Sequence, residues 1–314
     1  MIYSHNIPVW HAQSPNQYYN SYQKIIDNFT RCCSDFDVGF IDNTYITGPE
    51  VVKIISQYPR SVIFNLVDPP YTWHYLRELV DPANCIFVGT DAPDIPTHFW
   101  LTHAHLEFPN YPIEDLLPKK MKAYLSYNFK PHEHRVNLIQ HLTNRGLDHN
   151  GTITTHVDQP GPNLGREVGL GELSVWQGHF LNIVNETVFR QHPELIMSEK
   201  IIKPLLGLRP FIINGSPRYY DILEDWGIDF FDDIWPIQEM RRPADSLASL
   251  MYRNHSIICD IIQSLVLQNL ESLYRSLLPR IYRNRERTRQ LMLAEYERLC
   301  INNIELNWHS NLLA

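Results

Sequence analysis

Two short apolar runs, Phe180-Leu-Asn-Ile-Val-Asn185 and Phe211-Ile-Ile-Asn214, both stop in asparagine. Between them lie a polar tip, Asn185-Glu-Thr187, a helix start at Ser198-Glu-Lys200, and Leu205-Leu-Gly-Leu-Arg-Pro210. The order reads strand, helix, strand. Parallel strands need a crossover where antiparallel ones need only a tight turn, so this order predicts parallel strands in an α/β layer. Gly207 suits a turn or close packing, and Pro210 suits the start of a strand.

The same alternation runs through the first third of the chain. Val38-Gly-Phe-Ile41, Val62-Ile-Phe-Asn-Leu-Val67 and Cys85-Ile-Phe-Val-Gly89 read as strands, with helices expected at 49–57 and 73–79. Asp68-Pro-Pro70 cannot continue a paired strand. Pro109, Pro112 and Pro118 then punctuate what reads as a joint. Beyond it, Met121–Tyr127 reads as a strand and His132–Arg145 as a helix, with Val136, Ile139 and Leu142 on one side and Gly146 past its end. A glycine-rich loop at 158–171 has no phosphate-loop lysine. From 245 to about 299 the pattern is helical, with an interruption expected near Pro279. The expected organisation is an acceptor-side domain at 1–118, a nucleotide-binding domain at 119–244, and helices at 245–314 packing on both.

At 314 residues and 44% apolar composition, the chain is long enough for two domains with real cores. No run of eighteen apolar residues appears, and the start, Met-Ile-Tyr-Ser-His-Asn-Ile-Pro, lacks the basic-then-apolar pattern of a leader. Five cysteines without paired spacing fit a reducing compartment. These features predict a cytoplasmic protein with no membrane span, in the host cytoplasm if it is viral. A net charge of −8 weighs against a broad grip on nucleic acid. The basic run Arg280–Arg289 reads first as the solvated face of a long helix, and second as a local patch for a nucleic-acid acceptor.

Chemistry-bearing residues gather at the predicted strand ends. Ligands of open α/β sheets bind beyond the carboxyl ends of the strands. Ser126, Asn128 and Arg135 follow one strand and are placed to face a phosphate, which a guanidinium fork suits. Asn185 and Glu186 sit at the next tip. Ser198 fits an N-cap, with Glu199 and Lys200 side by side where the helix opens and Lys203 one turn on. A carboxylate can accept the hydroxyls of a ribose, while an ammonium and a helix N-terminus can hold a diphosphate.

The stretch from Lys120 to about Asp233 resembles the donor domain of fucosyltransferase-type enzymes, which have the GT-B fold. The resemblance rests on Leu125-Ser-Tyr-Asn128 with Arg135, on Asn185-Glu-Thr187, on Ser198-Glu-Lys200 and on Arg209-Pro-Phe-Ile-Ile213. The Asn and Glu of the tip stand in the opposite order to the family's. Similar segments are familiar from phage-encoded glycosyltransferase-like proteins. The resemblance implies an α/β, GT-B-like fold of two Rossmann-like domains with a cleft between them and C-terminal helices. It implies a nucleotide-diphosphate-sugar donor held by Arg135 and Lys200 at the diphosphate, Glu199 at the ribose, and the Asn185/Glu186 tip at the sugar. The acceptor is then a glycan or modified-base hydroxyl.

Inverting transfer needs a general base, expected at a strand end of the first domain: Asp68 first, then Asp91, then Glu107. Glu186 and Glu194 match the spacing of retaining GT-B enzymes, but Glu199 holds the place before the helix, so inversion is the expectation. Asp35-Phe-Asp37 lacks the apolar strand that precedes metal-binding Asp-x-Asp pairs. His103-x-His105 and His132-x-His134 have a spacing that shares one face of a strand but not of a helix, and neither has a third ligand, so no essential metal or cofactor is expected. The rival expectations are a non-catalytic nucleotide- or ligand-binding module, and a transferase that glycosylates hydroxylated bases in DNA.

Overall fold

A computed structural model of the chain describes the backbone of strands at 37–41, 61–65, 85–89 and 95–96, and residues 98–128, 131–155, 169–187, 189 and 197–300. The chain divides into two compact units, residues 1–106 with 292–314 and residues 107–291. Both contain a four-stranded parallel sheet, and the described structure is α/β.

In the first unit, β1 (Asp37–Ile41), β2 (Ser61–Asn65), β3 (Cys85–Gly89) and β4 (Ile95–Pro96) pair in that order. Val38 lies beside Val62, and Val62 beside Ile86. The second strand covers Ser61–Asn65, and the expected continuation to Val67 lies outside the described residues. Residues 99–107, which carry the first of the two histidine pairs, form helix α1 (Phe99–Glu107). There His103 is buried, while His105 is half-buried and stacks on Tyr296 at 4.7 Å. Leu101 and Ala104 fill the buried side, and the His98 amide donates to Glu295 Oε1 at 2.7 Å.

The second unit opens with the short helix α2 (Ile113–Leu116). The proline-punctuated segment around it is packed, not a free linker. Leu116 is buried, the Lys119 amide bonds Gln177 O at 2.9 Å, and Gln177 Nε2 bonds Asp115 O at 2.8 Å. The division of the chain accordingly falls ahead of the prolines, at 106/107.

Strands β5 (Lys122–Asn128), β6 (Gly151–Thr155), β7 (His179–Asn185) and β8 (Phe211–Asn214) form the second sheet in the order β6-β5-β7-β8. Every residue of β7 and β8 is buried, which is why both read as continuous apolar runs. The chain leaves β5 toward β6 on one side and later returns to β7 and β8 on the other. That reversal falls between β5 and β7, and it is beyond the carboxyl ends of strands at such a point that open α/β sheets take ligands.

Helix α3 (Glu133–Asn144) follows β5 and ends at Gly146, whose φ of +65° suits a residue without Cβ. Its buried residues are His134, Arg135, Leu138 and Leu142, whereas Val136 is exposed. The expected apolar side is therefore rotated, because the carbonyls at the β7 tip receive His134 and Arg135. The short helix α4 (Leu173–Gln177) precedes β7. Helix α5 (Glu199–Leu206) is capped by Ser198, whose side chain accepts from the Lys200 amide. Gly207 is needed for close packing. A Cβ there would meet Trp176 Cζ2 at 2.6 Å and Lys203 O at 2.7 Å. The left-handed residue of the turn is Leu208, at φ 56°. Arg209 is buried beside it and donates to the carbonyls of Leu116, Leu208 and Trp176 at 2.6, 2.9 and 2.9 Å.

Helices α6 (Arg218–Asp225) and α7 (Ile237–Arg241) lead to α8 (Leu247–Val266) and α9 (Leu270–Cys300). Helix α8 packs against α3, β5 and β8. The expected break at Pro279 does not occur. The two long helices separate at 267–269, and α9 runs through Pro279, which lies on its exposed side. Among the described residues no helix is long and apolar enough to cross a membrane.

Candidate functional site

Asn128, Asn185 and Asn214 are the last residues of β5, β7 and β8. Parallel register sets Asn185 beside Asn214. The amides connect in one direction. Asn214 Nδ2 donates to Asn185 Oδ1 at 2.8 Å, and Asn185 Nδ2 donates to Ser126 Oγ at 2.7 Å. Asn128 Nδ2 reaches the same Oγ at 3.1 Å and Ser126 O at 3.2 Å. At the other end, His255 of α8 lies 3.2 Å from Asn214 Oδ1 and, as that oxygen accepts, donates through Nε2. All five side chains are buried. Turning Asn185 alone would set its N–H against that of Asn214, and turning Asn214 alone would set oxygen against oxygen, so the two amides are oriented together.

Glu186, fully buried, extends from the β7 tip toward α5. Its Oε2 accepts from Ser198 Oγ at 2.6 Å, and that Oγ accepts from the Lys200 amide and from Lys200 Nζ, both at 3.3 Å. Lys200 Nζ also pairs with Glu199 Oε1 at 2.8 Å. Arg135 donates to the carbonyls of Asn185 and Glu186 at 2.9 and 3.1 Å, and His134 Nε2 to Glu186 O at 2.8 Å. Gly215 makes room for this crowding. A Cβ there would approach the Tyr219 ring at 3.0 Å and Glu186 Cβ at 3.1 Å.

The charges shape one another. Burial raises the Glu186 carboxyl above the ordinary carboxylate range, against the pull of Lys200 and Ser198. Burial also acts to raise Glu199, but Lys200 and Lys203 outweigh it and hold that carboxyl below the usual range. Burial lowers Arg135, opposed by Glu186 and Glu199. It takes His134 down to about 4 and His255 to about 3, so both imidazoles are neutral near pH 7. Burial, with Glu186 and Glu199 adding to it, keeps the Tyr219 phenol protonated well above its ordinary value.

Two acceptors in this cluster are unfilled. Glu186 Oε1 and Asn128 Oδ1 are buried and have no hydrogen-bond partner among the described residues. Each such group costs about 1–3 kcal/mol.

Of the residues singled out from sequence, Ser126, Asn128, Arg135, Asn185, Glu186, Ser198, Glu199 and Lys200 gather at the carboxyl ends of β5 and β7 and the opening of α5. Lys203 is buried one turn along α5 and acts on Glu199. The outward, phosphate-facing pose expected of Ser126 and Asn128 is not found. Ser126 is 1% exposed and accepts from two amides. Lys200 and Glu199 are paired with each other. Asp68 and Asp91 lie outside the described residues. Glu107 is exposed and ends a helix, not a strand. Sequence reading missed Asn214, His255, His134, Gly215 and Tyr219. The signal for His255 was a polar pair, Asn254-His255, on the otherwise apolar inward side of α8.

The basic run on α9 is largely engaged within the chain. Arg280 pairs with Asp229 at 2.5 Å and Asp233 at 2.7 Å, Arg287 Nε donates to Trp226 O at 2.8 Å, and Arg285 is buried. Among the described residues no group of three or more His, Cys, Asp or Glu side chains could hold a metal ion.

Compared with family models, curated proteins and solved structures, the chain has no match in any of the three.

Proposed function

We propose that the second unit is the donor-binding half of a glycosyltransferase of GT-B type, moving a sugar from a nucleotide diphosphate to a hydroxyl acceptor. The observation that carries this reading is the meeting of Arg135, the Glu199–Lys200 pair and the buried Glu186 at the reversal point of a parallel sheet. Cations there suit a diphosphate, and the opening of α5 adds its amide dipoles. In the closed pair, Lys200 holds Glu199. An arriving diphosphate competes for the ammonium and frees the Glu199 carboxylate to accept the ribose hydroxyls.

The reaction on this reading is inverting and needs no metal. The acceptor oxygen attacks the anomeric carbon as the bond from that carbon to the diphosphate oxygen breaks. The diphosphate leaves with the bonding electrons, stabilised by Lys200, Lys203 and Arg135, and the acceptor proton passes to a carboxylate base. The acceptor-side domain supplies that base, with Asp68 ahead of Asp91 and Glu107.

A thermal-shift screen of nucleotide-sugars tests the reading. A bound donor raises the unfolding temperature by mass action. No shift from any uridine, guanosine, cytidine or thymidine diphosphate-sugar removes the donor site. Binding without hydrolysis or transfer leaves a nucleotide-binding module and removes the enzyme.

A further inference from the structure

Asn128 invites assignment to a phosphate, since it ends a strand just ahead of an arginine-bearing helix. Its hydrogen bonds point the other way. Both bonds from Nδ2 go to Ser126, one to the backbone oxygen and one to Oγ. Turning the amide over would press Oδ1 against that backbone oxygen, so the orientation is fixed. Oδ1 is therefore the atom left over, buried and without a donor among the described residues, on a residue 7% exposed. A lone acceptor repels phosphate oxygens. It attracts O–H or N–H.

Glu186 Oε1 is the second unfilled acceptor, on the neighbouring strand's tip. Its carboxylate accepts from Ser198 through Oε2, and the Thr187 backbone and Lys200 also act on it. The tips of β5 and β7 thus offer two acceptors; Lys200 and Lys203 lie on α5, and Arg135 of α3 donates to the backbone carbonyls of the β7 tip.

We propose that Asn128 is a specificity-determining residue that reads an uncharged, hydroxyl-bearing part of the ligand, with Glu186 as its companion, and takes no part in holding phosphate. This rests on the nucleotide-sugar reading above and assigns the tips of β5 and β7 to the sugar. The hydroxyl donates to Asn128 Oδ1, filling an acceptor the fold leaves open.

The test is calorimetric titration of the full chain with UDP, GDP, UDP-glucose, UDP-N-acetylglucosamine, GDP-mannose and GDP-fucose. Wild type, Asn128→Leu and Glu186→Gln are compared, each first shown folded by its thermal transition. Glu186→Gln keeps the side-chain volume and the bond from Ser198, so it reports even where Asn128→Leu fails to fold. The expected result is that one nucleotide-sugar binds wild type more tightly than its bare diphosphate. Asn128→Leu loses that excess, about tenfold in affinity, with diphosphate binding unchanged. Glu186→Gln reduces the excess as well. Among analogues of that sugar lacking one hydroxyl, one binds wild type about tenfold more weakly yet binds Asn128→Leu as its parent does, because the two changes remove the same bond. If both variants weaken the bare diphosphate and the nucleotide-sugar alike, Asn128 and Glu186 do not read the sugar, and the nucleotide reading stands alone. If neither diphosphates nor nucleotide-sugars bind wild type, both readings fall together.

Discussion

Asn214 donates to Asn185 at 2.8 Å across the ends of two neighbouring parallel strands, and both side chains are almost fully buried. The bond is one link in a buried chain from His255 to Ser126 that ties β5, β7, β8 and α8 together at the carboxyl ends of the strands. Such a network is favourable only when every member is satisfied. Asn214→Leu removes a donor from Asn185 Oδ1 and an acceptor from His255 at once. The expected loss is about 2–4 kcal/mol of folding stability, read as a lower midpoint in urea. A midpoint within error of wild type would mean the network contributes nothing to the fold.

Ser198 serves two neighbours with one hydroxyl. It caps α5 and donates to Glu186. Ser198→Ala is expected to cost about 1–2 kcal/mol, since the cap alone is worth about 1 kcal/mol and the buried carboxyl also loses its donor. Ser198→Thr keeps the hydroxyl and should recover most of the loss. Equal destabilisation by both substitutions would show that the site depends on side-chain size and not on the bond.

Arg209 is a stability residue at the far end of the strands from the candidate site. It precedes β8, donates to the backbone carbonyls of Leu116, Gly207, Leu208 and Trp176, and lies 5.6 Å from the centre of the Trp176 ring and 5.9 Å from that of Tyr274. Lysine cannot reproduce a planar fork that meets several oxygens at once. Arg209→Lys should therefore destabilise by about 2–4 kcal/mol, while the folded fraction binds ligand as wild type does. A drop in affinity at constant folded fraction would contradict this division of labour.

Three strands of the second sheet were legible because they are short runs closed by asparagine, the last led in by Gly207-Leu-Arg-Pro210, whereas β6 (Gly151–Thr155) was not read. The N-cap at Ser198 was legible for a similarly local reason: the hydroxyl, the acid and the helix start are adjacent. The network was not legible. Its links join residues 29, 41 and 59 positions apart, and no local pattern encodes which amide meets which. The inward side of α3 was misread because periodicity counts apolar residues, whereas here a histidine and an arginine turn inward to meet two carbonyls. Pro279 was misread as a break because a proline removes one helical hydrogen bond, yet on the exposed side of a long helix its neighbours carry the turn.

Three buried histidines make the second unit acid-labile. Burial brings His134 and His179 to about 4 and His255 to about 3, against about 6.5 in an unfolded chain. Below pH 6.5 the unfolded state binds protons that the folded state does not. Folding stability from these groups is therefore complete above pH 6.5 and is lost as pH falls toward their folded values. Between pH 7 and pH 5 each histidine removes roughly 2 kcal/mol, so urea midpoints should fall steeply over that interval. Stability that is flat from pH 7 to pH 5 would mean the imidazoles are charged or solvated in the native state.

Arginines 280 to 287 separate two accounts of the acceptor. If α9 gripped nucleic acid, its guanidiniums would be free to meet phosphates, and neutralising them would weaken duplex binding and flatten its salt dependence. Arg280 instead pairs with Asp229 and Asp233 and lies 5.0 Å from the centre of the Phe231 ring, and Arg287 donates to the Trp226 carbonyl. Arg280→Ala strips two carboxylates of their partner and uncovers an aromatic face. The expected outcome is a stability loss of about 1–3 kcal/mol with no change in duplex affinity at any salt concentration. Salt-sensitive duplex binding by wild type that Arg283→Ala and Arg287→Ala weaken would restore a nucleic-acid acceptor, and the arginine pairs would then be contacts that give way when DNA binds.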